Sequence, residues 1–126
     1  MILPPGEKRL QLGDAILDKN FNLTPDETGW KAIVSPNPPA FSQKLTNGRE
    51  DQPYRLAVWR GEPGRYKREA GMPWSETYVV YKGMSRITFA HQQFDLSPGT
   101  IVELRKGEPF EMEIFSTIEK VAVITE

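Results

Sequence analysis

Apolar and polar residues alternate in short runs along the chain from residue 54 onward. In residues 54–60, for example, Tyr54, Leu56 and Val58 fall on one side, the period of two expected of a β-strand. The runs of this kind, each bounded by turn residues, are 54–60, 65–69, 76–82, 84–90, 93–96, 100–105, 110–116 and 120–125. Short strands at this regular spacing predict an all-β sandwich or small barrel.

The first 52 residues are rich in proline and only weakly periodic. Apolar residues at 10, 12, 16 and 17 predict a short strand or strap, and residues 30–35 predict another. Prolines within 36–39 interrupt any helix or central strand there. We therefore expect two regions: an arm at 1–52, which packs on the barrel or on a partner subunit, and the barrel itself at 53–126.

Composition narrows the classes of function. A chain of 126 residues without cysteine fits one domain, and it excludes disulfides, thiol catalysis and cysteine-ligated zinc. A net charge of −1 gives no indication of a nucleic-acid partner. No stretch approaches the roughly 20 apolar residues of a membrane span, and the opening segment lacks the apolar region of a signal peptide. The expectation is a cytoplasmic protein with no membrane partner.

The charges are unevenly distributed along the chain. Basic residues gather at 55, 60, 65, 67 and 68, and glutamates gather at 103, 108, 111, 113 and 119. One interpretation is that these are solvated strand faces that attract each other. The other is a basic rim that attracts a carboxylate or phosphate ligand.

Three spaced motifs in residues 54–125 resemble those of a known family. They are Glu76-Thr-Tyr78-Val-Val-x-x-Gly83, Phe94-x-Leu96-x-x-Gly99-x-x-Val102-x-Leu104-x-x-Gly107, and Glu119-Lys120-Val-Ala-Val-Ile124. This pattern resembles the single-domain cupins, in particular the branch of ethanolamine-utilisation protein Q and the ureidoglycine aminohydrolases. The resemblance implies a conical, jelly-roll-like β-barrel with a cavity between two sheets. It also implies a homodimer, and the proline-rich arm supports this because it needs a surface to cover.

The resemblance also implies where a metal would bind, through three histidines and one glutamate. Counting from Gly64 places Ala70 and Met72 at the first two histidine positions, and Phe110 at the third. A loop one residue longer would place Glu69 and Gly71 there instead. Only Glu76 matches in the preferred alignment, and one carboxylate cannot provide the three or four ligands of a catalytic metal. We therefore expect no metal and no cofactor.

The only histidine, His91, falls in residues 90–93, which read as the tip of a hairpin. A histidine at such a tip is expected to be solvated and remote from a cavity. It is therefore a poor candidate for a general base.

The candidate site is built outward from Glu76. If Glu76 points inward, alternation turns Tyr78 inward as well. The predicted catalytic residues are Glu76 and Tyr78, and the predicted ligand-binding residues are Tyr66, Arg68, Trp74, Phe110 and Met112. The competing interpretation is structural: Glu76 pairs with Arg68 or Arg86 and holds two strands together. In the preferred alignment Ala70 faces inward and Glu69 is a surface charge, whereas the other alignment would pair Glu69 with Glu76 as acid and base.

Two functions from different classes follow from this site. The first is a metal-independent enzyme of small-molecule metabolism, an isomerase, lyase or hydrolase that uses Glu76 on a small polar, anionic or planar ligand. The second is a non-catalytic ligand-binding or assembly module with a filled cavity. The sequence leaves the choice between them open.

Overall fold

The computed structural model describes residues 2–3, 10–12, 15–17, 27–33, 38–44 and 54–125, and all regular elements in them are β-strands. The all-β class predicted from the alternation is confirmed. The strands are β1 (Ile2–Leu3), β2 (Leu10–Leu12), β3 (Ala15–Leu17), β4 (Lys31–Ala32), β5 (Ala40–Lys44), β6 (Arg55–Gly61), β7 (Gly64–Arg68), β8 (Ser75–Phe89), β9 (Gln92–Leu96), β10 (Ile101–Leu104) and β11 (Phe110–Thr125). Within these ranges, no helix is long and apolar enough to cross a membrane.

The strands form one nine-stranded antiparallel sheet and a separate pair, β2 with β3. The order in the large sheet is β1-β10-β8-β11-β6-β5-β4, with β7 paired to β11 and β9 paired to β8. The last strand, β11, therefore pairs with β6, β7 and β8. Because β11 pairs with all three, it brings side chains of β6, β7 and β8 close together.

Two of the predicted strand breaks are wrong. The runs 76–82 and 84–90 form one strand, β8, which continues through Gly83. The runs 110–116 and 120–125 are likewise one strand, β11, with register shifts against β8 between residues 114 and 120. Glycine and polar residues at these points resemble turn signals, but the backbone continues its pairing through a local irregularity.

Gly83 is required where it stands by a positive φ of 86° and by the close approach of another strand. A Cβ at Gly83 would lie 2.2 Å from the carbonyl oxygen of Thr117. Gly107 has a similar φ of 80°, but a Cβ there would meet nothing within 4 Å among the described residues. A comparison of the two positions therefore distinguishes the cost of the backbone conformation from the cost of a steric clash.

We expect Gly83→Ala to lower the free energy of unfolding by more than about 2 kcal/mol, because left-handed backbone strain and a backbone clash add. Gly107→Ala is the matched control, and it should cost only the roughly 1–2 kcal/mol of the left-handed conformation. Urea denaturation of both variants measures the difference. Equal losses would show that Thr117 moves away at no cost.

The hairpin between β8 and β9 turns at Ala90 and His91, with φ of 44° and 69°. Positive φ at both central residues is the geometry of a tight two-residue hairpin turn. His91 is exposed at this tip, so its predicted position is confirmed.

The segment before residue 53 contributes strands to the large sheet. β5 pairs with β6, and β1 pairs with β10. Of the predicted strand at 30–35, only Lys31–Ala32 is a strand, and the described part ends at residue 33. The apolar residues at 10–17 lie in β2 and β3, as expected. Residues 34–37, which include part of the proline cluster, lie outside the described residues. The division into arm and barrel, and the homodimer, stay predictions.

The sheet buries side chains on both faces near its centre. Tyr78 and Val80 of β8 belong to one buried cluster, with Tyr66, Ile87 and others. Val79, between them in sequence, belongs to a second cluster with Val58 and Val121. Alternation along β8 thus places Tyr78 and Val80 on one side of the sheet and Val79 on the other.

The acidic and basic segments do attract each other across the sheet. Arg65 of β7 pairs with Glu111 and Glu113 of β11, and Arg60 of β6 pairs with Glu119. Mutual attraction is confirmed for these residues, and the expected solvation holds for Arg65, which is 67% exposed, but is wrong for Glu119, which is 2% exposed.

Candidate functional site

A cavity of about 380 Å³ lies on the side of the sheet that carries Tyr78, and every residue of the predicted site lines it. These residues are Tyr66, Arg68, Trp74, Glu76, Tyr78, Phe110 and Met112. The wall is mostly apolar, with a small number of polar and charged groups. Its size and composition are typical of pockets that hold small ligands, roughly 300–1,000 Å³.

The strand register explains why these side chains meet. Phe110 and Met112 of β11 stand opposite Arg68 and Tyr66 of β7. Further along β11, Ala122 stands opposite Tyr78. Near the two ends of β11, alternate residues line the cavity: Phe110 and Met112 at one end, and Lys120, Ala122 and Ile124 at the other.

Lys120 of β11 is the main residue of the site that the sequence did not indicate. Its side chain is only 9% exposed, and its Nζ lies 3.8 Å from Oε2 of Glu76, which is itself 6% exposed. The predicted partners of Glu76, Arg68 and Arg86, are therefore wrong. Arg86 pairs instead with Asp95 at 2.9 Å. At 3.8 Å the Lys120–Glu76 contact is an ion pair longer than a hydrogen bond.

Aromatic rings complete the environment of the amine. The Nζ of Lys120 lies 3.7 Å from the ring centre of Tyr78 and 5.0 Å from that of Trp59. Burial lowers the pKa of Lys120, an effect opposed by the negative charge of Glu76 and reinforced by Arg68. The net lowering leaves more of the uncharged amine near neutral pH than an exposed lysine would have.

Two polar groups of the wall are buried without a hydrogen-bond partner among the described residues. They are the hydroxyl of Tyr78 and the indole N–H of Trp74. Burial, together with the nearby charge of Glu76, raises the pKa of Tyr78, so its hydroxyl remains a protonated donor. An unpaired buried donor costs free energy, which a bound acceptor would recover.

The remaining predicted residues have different parts in the wall. Tyr66 donates its hydroxyl to the carbonyl oxygen of Pro39 at 2.8 Å, so it offers the cavity a ring. The guanidinium of Arg55 lies 4.9 Å from the ring centre of Trp74, and both Arg55 and Arg68 line the cavity. With Lys120, the described wall carries three cationic groups against one carboxylate.

Comparison with protein-family models finds no match, and no curated protein sequence is similar. Solved structures do match. A crystal structure assigned to ethanolamine utilization protein Q from Salmonella typhimurium has a TM-score of 0.67 at 11% identity, over 79% of this chain and 82% of that one. The polyketide cyclase RemF from Streptomyces resistomycificus has a TM-score of 0.62 at 16% identity, over 82% and 78%. The cupin domain of an XRE-family regulator from Enterobacter cloacae has a TM-score of 0.57 at 15% identity, over 69% and 96%.

This chain has the cupin fold. Within that fold, the positions that the resemblance assigns to metal-binding histidines can be located. Met72 and Phe110 line the cavity, whereas Ala70 is exposed in the turn after β7, so its predicted inward orientation is wrong. Alternation along β7 does not extend to Ala70 because the strand ends at Arg68.

Glu69 lies on the surface of the cupin fold, with a side chain 81% exposed that pairs with Lys67. Its predicted surface position is confirmed, and it does not form a carboxylate pair with Glu76. Among the described residues, no three or more histidine, cysteine, aspartate or glutamate side chains are grouped as a metal site would require.

Proposed function

We propose that this cupin-fold protein binds a small anionic molecule with a planar or apolar body, and that Glu76 transfers a proton on it without a metal ion. The observation that supports this most is the buried Glu76–Lys120 pair on the wall of a 380 Å³ cavity. The proposed setting is small-molecule metabolism in the cytoplasm. We also propose that the protein acts as a homodimer.

The chemistry follows from the donors and acceptors in the wall. Glu76 is a base or acid within reach of a bound molecule, and the hydroxyl of Tyr78 can donate to oxygen that gains negative charge during the reaction. Arg55 and Arg68 give the described wall an excess of positive charge, which favours a carboxylate or phosphate on the ligand. Isomerase, lyase and hydrolase reactions all use such an arrangement.

A second candidate is a non-catalytic binding module. The observation in its favour is the ion pair itself, since Glu76 and Lys120 neutralise each other and link β8 to β11. The structural neighbours support both candidates, because one is named as a polyketide cyclase and another as a domain of a transcriptional regulator. Fold alone does not choose between them.

The cavity can be tested with a probe of matching chemistry, the planar aromatic sulfonate 1-anilinonaphthalene-8-sulfonate. We expect one saturable site, measured by fluorescence titration of the folded protein. Ala57→Phe places a ring in the cavity from β6 and should weaken binding by about tenfold or more.

The matched control is Ala70→Phe, which places the same ring on the exposed turn. It should leave the affinity of the probe unchanged. Thermal melts establish that both variants are folded. An affinity that is unaffected by Ala57→Phe in a folded protein would show that the cavity is not the binding site, and the proposal would then fail.

A further inference from the structure

Lys120 combines features that the proton-transfer role of Glu76 does not use. It is a buried lysine held on a strand that is paired on both sides. By contrast, the side chains of Lys67 and Lys82 are 63% and 61% exposed, and each pairs with a glutamate. An amine that lines an apolar cavity is the arrangement in which lysine acts as a nucleophile.

We propose that Lys120 is an imine-forming residue whose substrate is a small oxo acid, a molecule that carries both a carbonyl group and a carboxylate. This inference rests on the proposed function, since it requires that the cavity bind a small anion. It adds the identity of the reacting nitrogen and the class of the substrate.

The amine is available for attack because its only described charged partner is loosely placed. The Nζ of Lys120 and Oε2 of Glu76 are 3.8 Å apart, outside hydrogen-bond distance, and a small movement of either side chain brings them within reach for proton transfer. The ring of Tyr78 covers one side of the amine at 3.7 Å. The lowered pKa of Lys120 increases the fraction of nucleophilic amine, in support of the geometry.

The reaction balances without any oxidant or reductant. The Lys120 nitrogen forms a bond to the carbonyl carbon, and a proton moves from nitrogen, through Glu76, to the carbonyl oxygen. The carbinolamine then loses its hydroxyl as water when Glu76 delivers the second nitrogen-bound proton, and a carbon–nitrogen double bond remains. The hydroxyl of Tyr78, unpaired among the described residues, is placed to donate to the oxygen during these steps.

The carboxylate of the substrate is argued from the charged wall. Arg55 and Arg68 line the same cavity and carry guanidinium groups, which bind carboxylates through two parallel hydrogen bonds. Glu76 is the one carboxylate among the described lining residues, set against the two guanidinium groups of Arg55 and Arg68. A neutral aldehyde would therefore bind less well than an anionic one.

The test uses the whole protein with glyoxylate as the probe and sodium cyanoborohydride as the hydride source that traps the imine. Peptide mapping by mass spectrometry locates the reduced adducts. We expect a saturable adduct on Lys120 that forms at least about tenfold faster than adducts on Lys67 or Lys82. Acetaldehyde, which lacks the carboxylate, should modify Lys120 more slowly.

Lys120→Arg keeps the positive charge and should abolish the fast adduct, while Lys67→Arg on the surface should leave it unchanged. If Lys120→Arg does not fold, the wild-type peptide map decides alone: equal labelling of exposed lysines overturns the proposal. Equal rates with acetaldehyde and glyoxylate would overturn the oxo-acid assignment. A probe sulfonate that binds in the cavity while Lys120 stays unlabelled would refute the imine and leave the proposed function standing.

Discussion

Replacing Glu119 by glutamine should lower the free energy of unfolding by about 2 kcal/mol, since a buried carboxylate that accepts from several donors becomes an amide that cannot accept from all of them. The Glu119 side chain is 2% exposed. Its Oε1 accepts a hydrogen bond from the hydroxyl of Tyr81 at 2.8 Å. Its Oε2 lies 3.2 Å from Arg60 and 3.3 Å from Lys82. In a glutamine, the side-chain amide nitrogen is itself a donor, and it would face at least one of these donors. Urea denaturation measures the loss.

Glu27→Gln is the matched control for Glu119→Gln. Glu27 contacts the same nitrogen of Arg60, at 3.0 Å, but its side chain is 67% exposed. A solvent-exposed ion pair contributes little, so this variant should lose less than about 1 kcal/mol. Similar losses in the two variants would mean that burial of Glu119 adds nothing to the pair.

Removing the buried lysine, with Lys120→Met, should cost about 3 kcal/mol, because it leaves the buried carboxyl group of Glu76 without its cationic partner. Glu76→Gln should cost less. The reason is the lowered pKa of Lys120, which lets the lysine lose its proton and its charge once the carboxylate is gone. Denaturation of both variants at the same pH gives the order. A larger loss for Glu76→Gln would contradict it.

The same pair has a pH dependence with a definite sign. The pKa of Lys120 lies below its ordinary value of 10.5 in the folded protein, so between the two values the unfolded chain binds more protons. The free energy of unfolding therefore rises with pH through that window. In Glu76→Gln the attraction that raises the pKa of Lys120 is lost, so the rise should begin at lower pH. Denaturation from about pH 6 to pH 10 tests this.

The fold class could be predicted because the alternation in residues 54–125 is regular and turn residues punctuate it. The limits of that method are visible at Gly83, where a glycine signals a turn but lies within a continuous strand. β5 was missed for the opposite reason. Its residues, Ala40–Lys44, directly follow the prolines of 36–39 and include one large apolar side chain, Phe41, so they show no alternation; their strand conformation depends on pairing with β6.

The site could be predicted in outline because alternation from Glu76 fixes which neighbours share its side of β8. Lys120 could not be found in this way. It follows another charged residue, Glu119, and such a pair is normally expected at a solvated strand end. Its burial depends on strands far away in sequence, because Lys120 stands opposite Trp59 of β6 and Val80 of β8. Ala70 was misplaced because counting from Gly64 in the family alignment gives it an inward position, whereas β7 ends at Arg68 and Ala70 lies in the turn that follows.

The burial of β11 on both faces determines which parts of the cavity can change over evolution. Most strands leave alternate positions open to substitution, because one face meets water. Residues 118–122 of β11 are all buried, with Lys120 on the cavity side and Glu119 in a separate polar network. A new residue in this stretch must fit the buried side chains that already pack against that position. Arg55 and Arg68 line the same cavity with exposed side chains, so altered ligand preference is reached more readily from them. The cavity thus combines a wall in β11 that tolerates little change with exposed arginines that are free to vary.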